Sequence, residues 1–558
     1  MSKSIAARLL TVLACLLLLL TTACGGGAPP AANPPAANTP QADPPAADDS
    51  AERVVRMTHA GGYAVDPHLG TDSAGTMLSV NLYDSLVFPE LDGSVSPCLA
   101  TEWTVSADGL TWDFTLREDV KFHDGADLTA SDVVYSMNRI LALGQGYSYL
   151  FSGYIQSVEA TGDYGVRFTL GKPFAPFLRI LPRLYVLNED LVRANQTAGS
   201  YGDNGDYGLA YLAEHDAGSG AYFIEEVRVQ DRVTMKRFDE YFGEFANNAP
   251  TSAEVITGTE AATVRTLMTN KQLEISDQWQ TSEAYEALAR LDGVTLGSFA
   301  SGQMLFVMLN TKKAPTDDVH VRRALAHLID YAQVCESLFP GFEPPDSPLP
   351  ADLPGHTLTP VYEFSLEKAR EELAQSAYAS DLGAVTVDLA WIAEVPDEEK
   401  LSLLIQANAS QIGLKVNVIK VPWSAYVEQV GQVDTTPNAG ICFMASDYDE
   451  AGSLLYQRYH SDTAGTWQQI EWLEDPAIDA KIDEALTTID QEARYAVYAD
   501  LQNEIMDQVY GISVANQIQK YAYSDSLVWP AMDAAAAGKP VSTLLGYNLV
   551  LRTFEVNK

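Results

Sequence analysis

Basic residues are scarce in this chain: 35 Lys and Arg stand against 75 Asp and Glu, a formal net charge of −40 over 558 residues. The acids are scattered instead of gathered in one tail, which describes a strongly solvated surface. Nucleic acid is excluded as a partner, because a binder needs a basic footprint to displace counterions from phosphates. Cysteine is scarcer still. Of five, only Cys98, Cys335 and Cys442 follow residue 24, with no CxxC and no nearby His pair. Neither zinc nor a thioredoxin-type centre is supported, and the three read as buried free thiols or as one disulfide plus a thiol. There is no G-x-S-x-G elbow and no H-E-x-x-H. The Gly-Lys of AAAAGKP (534–540) lacks the leading Gly and the Ser/Thr of a phosphate loop. Of eight His residues only His320 and His327 share a predicted helix, two turns apart, a poor chelating distance. With 75 acids a carboxylate pair for glycoside hydrolysis can always be nominated, so none is singled out. No metal, cofactor or catalytic residue is expected.

A membrane-spanning run is also lacking. The longest apolar stretch, LLTVLACLLLLL (9–20), is too short to cross a bilayer and follows Lys3 and Arg8 in the layout of a secretory signal. Ala23-Cys24 before GGG resembles a lipoprotein cleavage site, although Thr21 stands where such sites usually carry Leu, Val or Ile. Residues 1–23 are therefore expected to be a signal peptide and Cys24 the lipidated N-terminus, with plain secretion as the alternative. Residues 24–52, with PPAA three times, have no apolar periodicity. At about 3.1 Å per residue some 25 such residues reach roughly 75 Å, enough to hold a globular body off a membrane.

What is present after residue 53 is a pattern alternating between period two and period 3.6, an α/β body. Strands are predicted over 54–60, 111–119, 165–170, 221–238, 305–311, 385–392, 414–421 and 439–445, and amphipathic helices over 365–378, 398–413, 424–432 and 491–509. Residues 385–445 read strand, helix, strand, helix, strand, the unit of a doubly wound sheet. The Pro-rich FPGFEPPDSPLPADLPGHTLTP (339–360) is a long surface loop. In VKFHDGADLTASDVV (120–134), Asp124-Gly125 suits a tight turn, and Thr129 with Asp132 forms a capping-box variant opening a helix through Val133, Met137 and Ile140. His123 is not read as a metal ligand.

The stretch 82–140, with Pro97, Leu99, Ala100, Trp103, Asp108, Gly109, Arg117, Phe122 to Gly125, Thr129, Ala130, Asp132 and Val133, resembles the family 5 extracellular solute-binding proteins of peptide/nickel-type ABC importers. GSGAYFIEEVRVQDRVTMKRFDEYFG (218–243), LNTKKAPTDDVHVRRALAHLID (309–330) and MASDYDEAGSLLYQRYHSD (444–462) continue the resemblance in order, with Ser219 and Ala221 as departures. It implies a two-lobed periplasmic-binding-protein-like α/β fold (type II, cluster C) with an extra small α/β domain. Lobe I would comprise 53–90, 215–300 and 517–558, the extra domain 91–214, and lobe II 301–516. Implied too are a monomer, an ABC permease with cytoplasmic ATPases as partner, and a peptide or oligosaccharide ligand.

By position in that resemblance, Asp447 pairs with a ligand amine, the alternative being that it caps the helix near Glu450, and Tyr448 adjoins it. Thr71, Asp72 and Ser73 lie in a ligand-facing loop, GTDSAGT (70–76). Tyr63, Trp279, Trp391 and Trp423 supply aromatic faces that would suit a sugar. Dipeptide binders hold the ligand carboxylate with an Arg after the strand matching VTVDLAWIAEV. Here that place offers Glu394, Asp397, Glu398 and Glu399, which leaves room for longer peptides, cationic ligands or oligosaccharides. The competing class is a secreted hydrolase using paired carboxylates.

Overall fold

The computed structural model describes residues 52–60, 64–90, 94–258 and 260–557, so the signal segment, the tether, Cys24 and Tyr63 lie outside the described residues. The strands of its three main sheets are, in chain order, β1 (Val54–His59), β2 (Ala100–Val105), β3 (Thr111–Leu116), β4 (Ile155–Gly162), β5 (Gly165–Leu170), β6 (Tyr222–Arg228), β7 (Arg232–Arg237), β8 (Ser252–Thr257), β9 (Val294–Leu309), β10 (Thr386–Ile392), β11 (Lys415–Val421), β12 (Ala439–Ala445) and β13 (Gly511–Ser524). Helices that bear on the site are α1 (Ser73–Leu82), α2 (Ala130–Leu143), α3 (Asp397–Ser410), α4 (Trp423–Gln429) and α5 (Ala451–Tyr459).

The first sheet has the order β1-β8-β7-β6, with β1 and β8 parallel and the rest antiparallel. The second, β2-β3-β5-β4, is wholly antiparallel and packs α2 on its inner face. In β5 the alternation is clean: Val166, Phe168 and Leu170 are buried while the residues between them are half-exposed. The third sheet runs β11-β10-β12-β9-β13. Its β10-α3-β11-α4-β12 stretch is the doubly wound unit expected from residues 385–445, with β10 parallel to both β11 and β12. Central β12 is apolar on both faces, as a strand covered on both sides must be.

One strand, β13, links two sheets. The far half of β9, Val294–Ala300, pairs with Ile518–Ser524 of β13, and after a register break Met304–Met308 pairs with Gly511–Asn516. Only the near half of β9, from Gln303 onward, also pairs with β12. The far end of β13 bonds instead to residues 274–276, which bond to β1: Ser524 N–H donates to Glu274 O (2.8 Å) and Thr58 N–H to Ile275 O (3.2 Å).

The HDG segment folds as a turn. Gly125 has φ +89°, its N–H donates to Phe122 O at 2.8 Å, and Ala126 N–H donates to Asp124 Oδ1 at 3.0 Å. His123 is a bolt between elements: Nε2 bonds Gly220 O at 2.9 Å and Nδ1 bonds the Asp216 carboxylate. Burial opposes charge on this ring, but the Asp216 carboxylate and hydrogen bonds outweigh it and raise its pKa. The strand-opening GSG is needed because the chain crosses the end of α1: a Cβ on Gly218 would lie 1.9 Å from Leu82 O. Cys98, Cys335 and Cys442 are free thiols, the last two buried.

Thr129 is the N-cap of α2, and its N–H donates to Asp132 Oδ2 at 2.9 Å. The other oxygen of Asp132 accepts the Glu189 N–H at 2.9 Å, tying α2 to the helix that starts there. Asp132→Ala removes both acceptors and is expected to cost about 1–2 kcal/mol. Urea unfolding of the two proteins measures this, and equal midpoints would show that the box adds nothing.

Candidate functional site

A cavity of about 110 Å³ lies between the first and third sheets. From the first-sheet side it is lined by His59 at the end of β1, by Thr71 to Ala74 at the start of α1, and by Trp279. From the other side come Ile392, Glu394 and Glu398 after β10, Trp423 opening α4, Phe443 on β12, and Asp447 just beyond it. β10 and β12 are parallel neighbours, so their carboxyl ends deliver these residues to one edge of the sheet, the usual place for a ligand in an open α/β sheet.

Asp447, Thr71, Asp72, Ser73, Trp279 and Trp423 are thus brought together. Residues 73–76, expected in a loop, form the first turn of α1, with Asp72 as N-cap accepting the Gly75 N–H at 2.9 Å. The second oxygen of Asp72 accepts the Trp423 indole N–H at 3.3 Å, so one carboxylate caps a helix and reaches across the cavity. Ser73 Oγ accepts Gln278 Nε2 at 3.0 Å. Trp279 is fixed by Asp277, whose Oδ1 accepts its backbone N–H at 2.8 Å, and burial pushes the Asp277 carboxyl up to about 7.

Trp391 and Tyr448 lie outside the lining. Successive strand residues point to opposite faces, so with Ile392 at the cavity Trp391 is turned away, 2% exposed and with the Lys420 ammonium 5.0 Å from its ring centroid. Tyr448 is packed in the core at 1% exposure. Lining residues that sequence patterning does not single out include Phe443, Trp467, Gln303 and Gln468. Phe443 reads as core because its strand is apolar throughout, and Trp467 follows no periodic segment.

Asp447 does not cap α5; Glu450 is the N-cap. The Asp447 side chain instead accepts from Gln457 Nε2 one face along that helix, its N–H donates to Ser453 Oγ at 2.7 Å, and its carbonyl accepts Arg183 Nε at 2.9 Å. Among the described residues no cation is bonded to the carboxylate, and burial pushes it up to about 8 against the bonds from Gln457 and Gln468. Glu398 is held by the Ile392 N–H at 2.8 Å on Oε2, while Oε1 is buried with no hydrogen-bond partner. Burial, then the neighbouring Glu394, push its carboxyl well up from the usual range. Among the described residues no cluster of His, Cys, Asp or Glu is arranged to hold a metal.

The family model described as bacterial extracellular solute-binding proteins, family 5 Middle, matches residues 94–466. The chain belongs to this family. Among relatives, the probable D,D-dipeptide-binding periplasmic protein DdpA of Escherichia coli is 26% identical over 451 residues, covering 79% of this chain and 84% of that protein. Among solved structures, the periplasmic binding protein DppA of Helicobacter pylori in complex with the peptide STSA aligns with TM-score 0.79 at 22% identity, over 90% of this chain and 98% of that one. NikZ of Campylobacter jejuni in complex with Ni(L-His) aligns with TM-score 0.78 at 16% identity, over 90% and 99%. The fold is the two-lobed α/β fold of family 5 binding proteins, and this chain is a solute-binding protein.

The Asp447 carboxyl carries a testable linkage. Its pKa in the fold is about 8 against an ordinary 3.8, so the native state holds a proton that the unfolded chain releases. Its share of stability is complete below about pH 4 and is lost as pH climbs through 8. Asp447→Asn is expected to flatten the fall in thermal midpoint between pH 5 and 8 in ligand-free protein; superimposable pH profiles would show that the group does not titrate there.

Proposed function

We propose that this chain is the substrate-binding component of an ABC importer, capturing a small peptide or related solute in the cavity between its lobes and handing it to a permease driven by cytoplasmic ATPases. The observation that carries the reading is the cavity itself: small, walled by residues from both the β1 and the β10–β12 sheets, and bridged across by Asp72 and Trp423. A second bridge joins Lys400 Nζ to Glu283 Oε1 at 3.0 Å. In this reading 53–90, 215–300 and 517–558 form lobe I, 91–214 the extra domain and 301–516 lobe II, and the chain acts as a monomer and not as an enzyme. The register break of β9 and β13 between Ala300 and Met304 supports a hinge there. The protein is exported and held at the outer face of the cytoplasmic membrane by lipid on Cys24.

Dipeptides, longer peptides and oligosaccharides are the ligand classes to separate. Thermal melting with each class tests this, because a ligand at a hundred times its Kd stabilises the native state by about 2.7 kcal/mol. A rise of a few degrees is expected with one or more dipeptide-sized solutes. A rise with oligosaccharides alone would move the protein to sugar uptake. For the anchor, Cys24→Ser is expected to move the protein from the membrane fraction to the soluble one; an unchanged distribution would refute lipidation at Cys24.

A further inference from the structure

Three of the eight tryptophans, Trp279, Trp423 and Trp467, line the cavity between the sheets, and each is only partly buried against the apolar core. They stand in ring pairs. Trp423 and Trp467 meet edge to face with centroids 5.1 Å apart, and Trp279 leans on Phe443 with centroids also 5.1 Å apart and planes tilted by 42°. Ile392, Val395 and Leu545 add aliphatic wall. An indole left partly bare in a concave site is apolar surface that the fold itself does not cover, and a solute that covers it takes it out of water.

Many polar groups of the lining are engaged by the protein, and two of its acids serve a tryptophan. Asp72 Oδ2 accepts the Trp423 indole N–H at 3.3 Å and Glu394 Oε2 accepts its backbone N–H at 3.0 Å, so ring and backbone are held by carboxylates from opposite sides of the cavity. Asp447 is bonded by Gln457 and Gln468, and Ser73 Oγ by Gln278 and His59. A sugar brings several hydroxyls that each need a partner, and groups already engaged serve it poorly. An aliphatic side chain would gain burial alone. An aromatic ring gains burial and, in addition, the edge-to-face contacts that rings favour at these spacings.

We propose that the cavity selects solutes carrying an aromatic ring, dipeptides with an aromatic side chain foremost, the ring being received by Trp423, Trp467, Trp279 and Phe443, with Asp72 and Glu394 as positioning residues that set Trp423 for it. This names the ligand class of the solute site and rests on that site being the interlobe cavity. The acids of the lining then have a task that needs no charge on the solute: they orient the indole on which the ring packs.

Titration calorimetry on the full chain with Ala-Phe and Phe-Ala, beside Ala-Leu, Ala-Ala and maltotriose, tests the assignment. The better Phe dipeptide is expected to bind roughly tenfold or more tighter than Ala-Ala, and tighter than Ala-Leu. Trp467→Ala leaves the bond between Asp72 and Trp423 in place and is expected to cut the Phe-to-Ala ratio to about threefold or less. A general loss of structure would weaken every dipeptide alike and leave that ratio unmoved. Trp423→Phe, which keeps a ring but frees it from Asp72, and Glu394→Ala, which frees the backbone of Trp423, are expected to lower the same ratio; an unchanged ratio in both would refute the positioning role. Equal affinity for the Phe dipeptides and Ala-Ala, Ala-Leu binding as tightly as the better Phe dipeptide, or an unchanged ratio in Trp467→Ala would overturn the proposal while the receptor reading stands. Binding of maltotriose alone would overturn it in favour of a sugar. If none of the five binds, the proposal fails, and the receptor reading fails with it when no solute of any class raises the melting temperature.

Discussion

The pairing of β9 with β13 is the constraint on which the rest of the molecule depends. These two strands are continuous through both halves of the structure, and the register break between Ala300 and Met304 lets one part of the pair join β12 while the other is tied through residues 274–276 to β1. Because strands stretch poorly and bend at irregularities, the two sheets face each other along a fixed edge. That edge is where the carboxyl ends of β10 and β12 lie, and it sets the cavity's location before any side chain is considered.

Side chains then decide what the cavity is for. Asp447 and Glu398 are buried without a matching cation, and burial raises both carboxyls towards the neutral form. Other buried acids fall in two groups: Asp66, Glu471 and Glu450 are paired with Arg139, Arg458 and Arg494, whereas Asp277 and Asp132 are held by neutral donors. The HDG turn, read from the sequence as a turn and not as a metal site, is held in the same structural way: His123 pairs with Asp216 and bonds Gly220 O, fastening the turn to the segment crossing α1.

Much of this was legible in advance. The strands at 165–170, 385–392, 414–421 and 439–445 and the capping box at Thr129 announced themselves because alternation, continuous apolar runs and cap chemistry are local signals. β4 was not legible because most of its residues are exposed, and β13 was not because it buries Gln517 and Gln519, whose polarity erases the apolar signature of a buried strand. The site split in the same way. Asp447, Trp279, Trp423 and the Thr71–Ser73 segment lay on ordered motifs, whereas Trp391 needed knowledge of which strand face looks inward, a one-residue matter that flips every side chain. The acids after β10 were visible as a departure from a pattern, but only the fold shows that Glu398, not Glu399, turns inward.

The bond from the Trp423 indole to Asp72 spans the cavity from α4 to the cap of α1. An indole whose N–H is bonded to a carboxylate emits differently from one facing water, and separating the two lobes necessarily breaks this bond. The bond thus makes Trp423, one of eight tryptophans, the indole whose emission reports directly on the contact between α4 and the cap of α1, without a label and without knowing the solute beforehand.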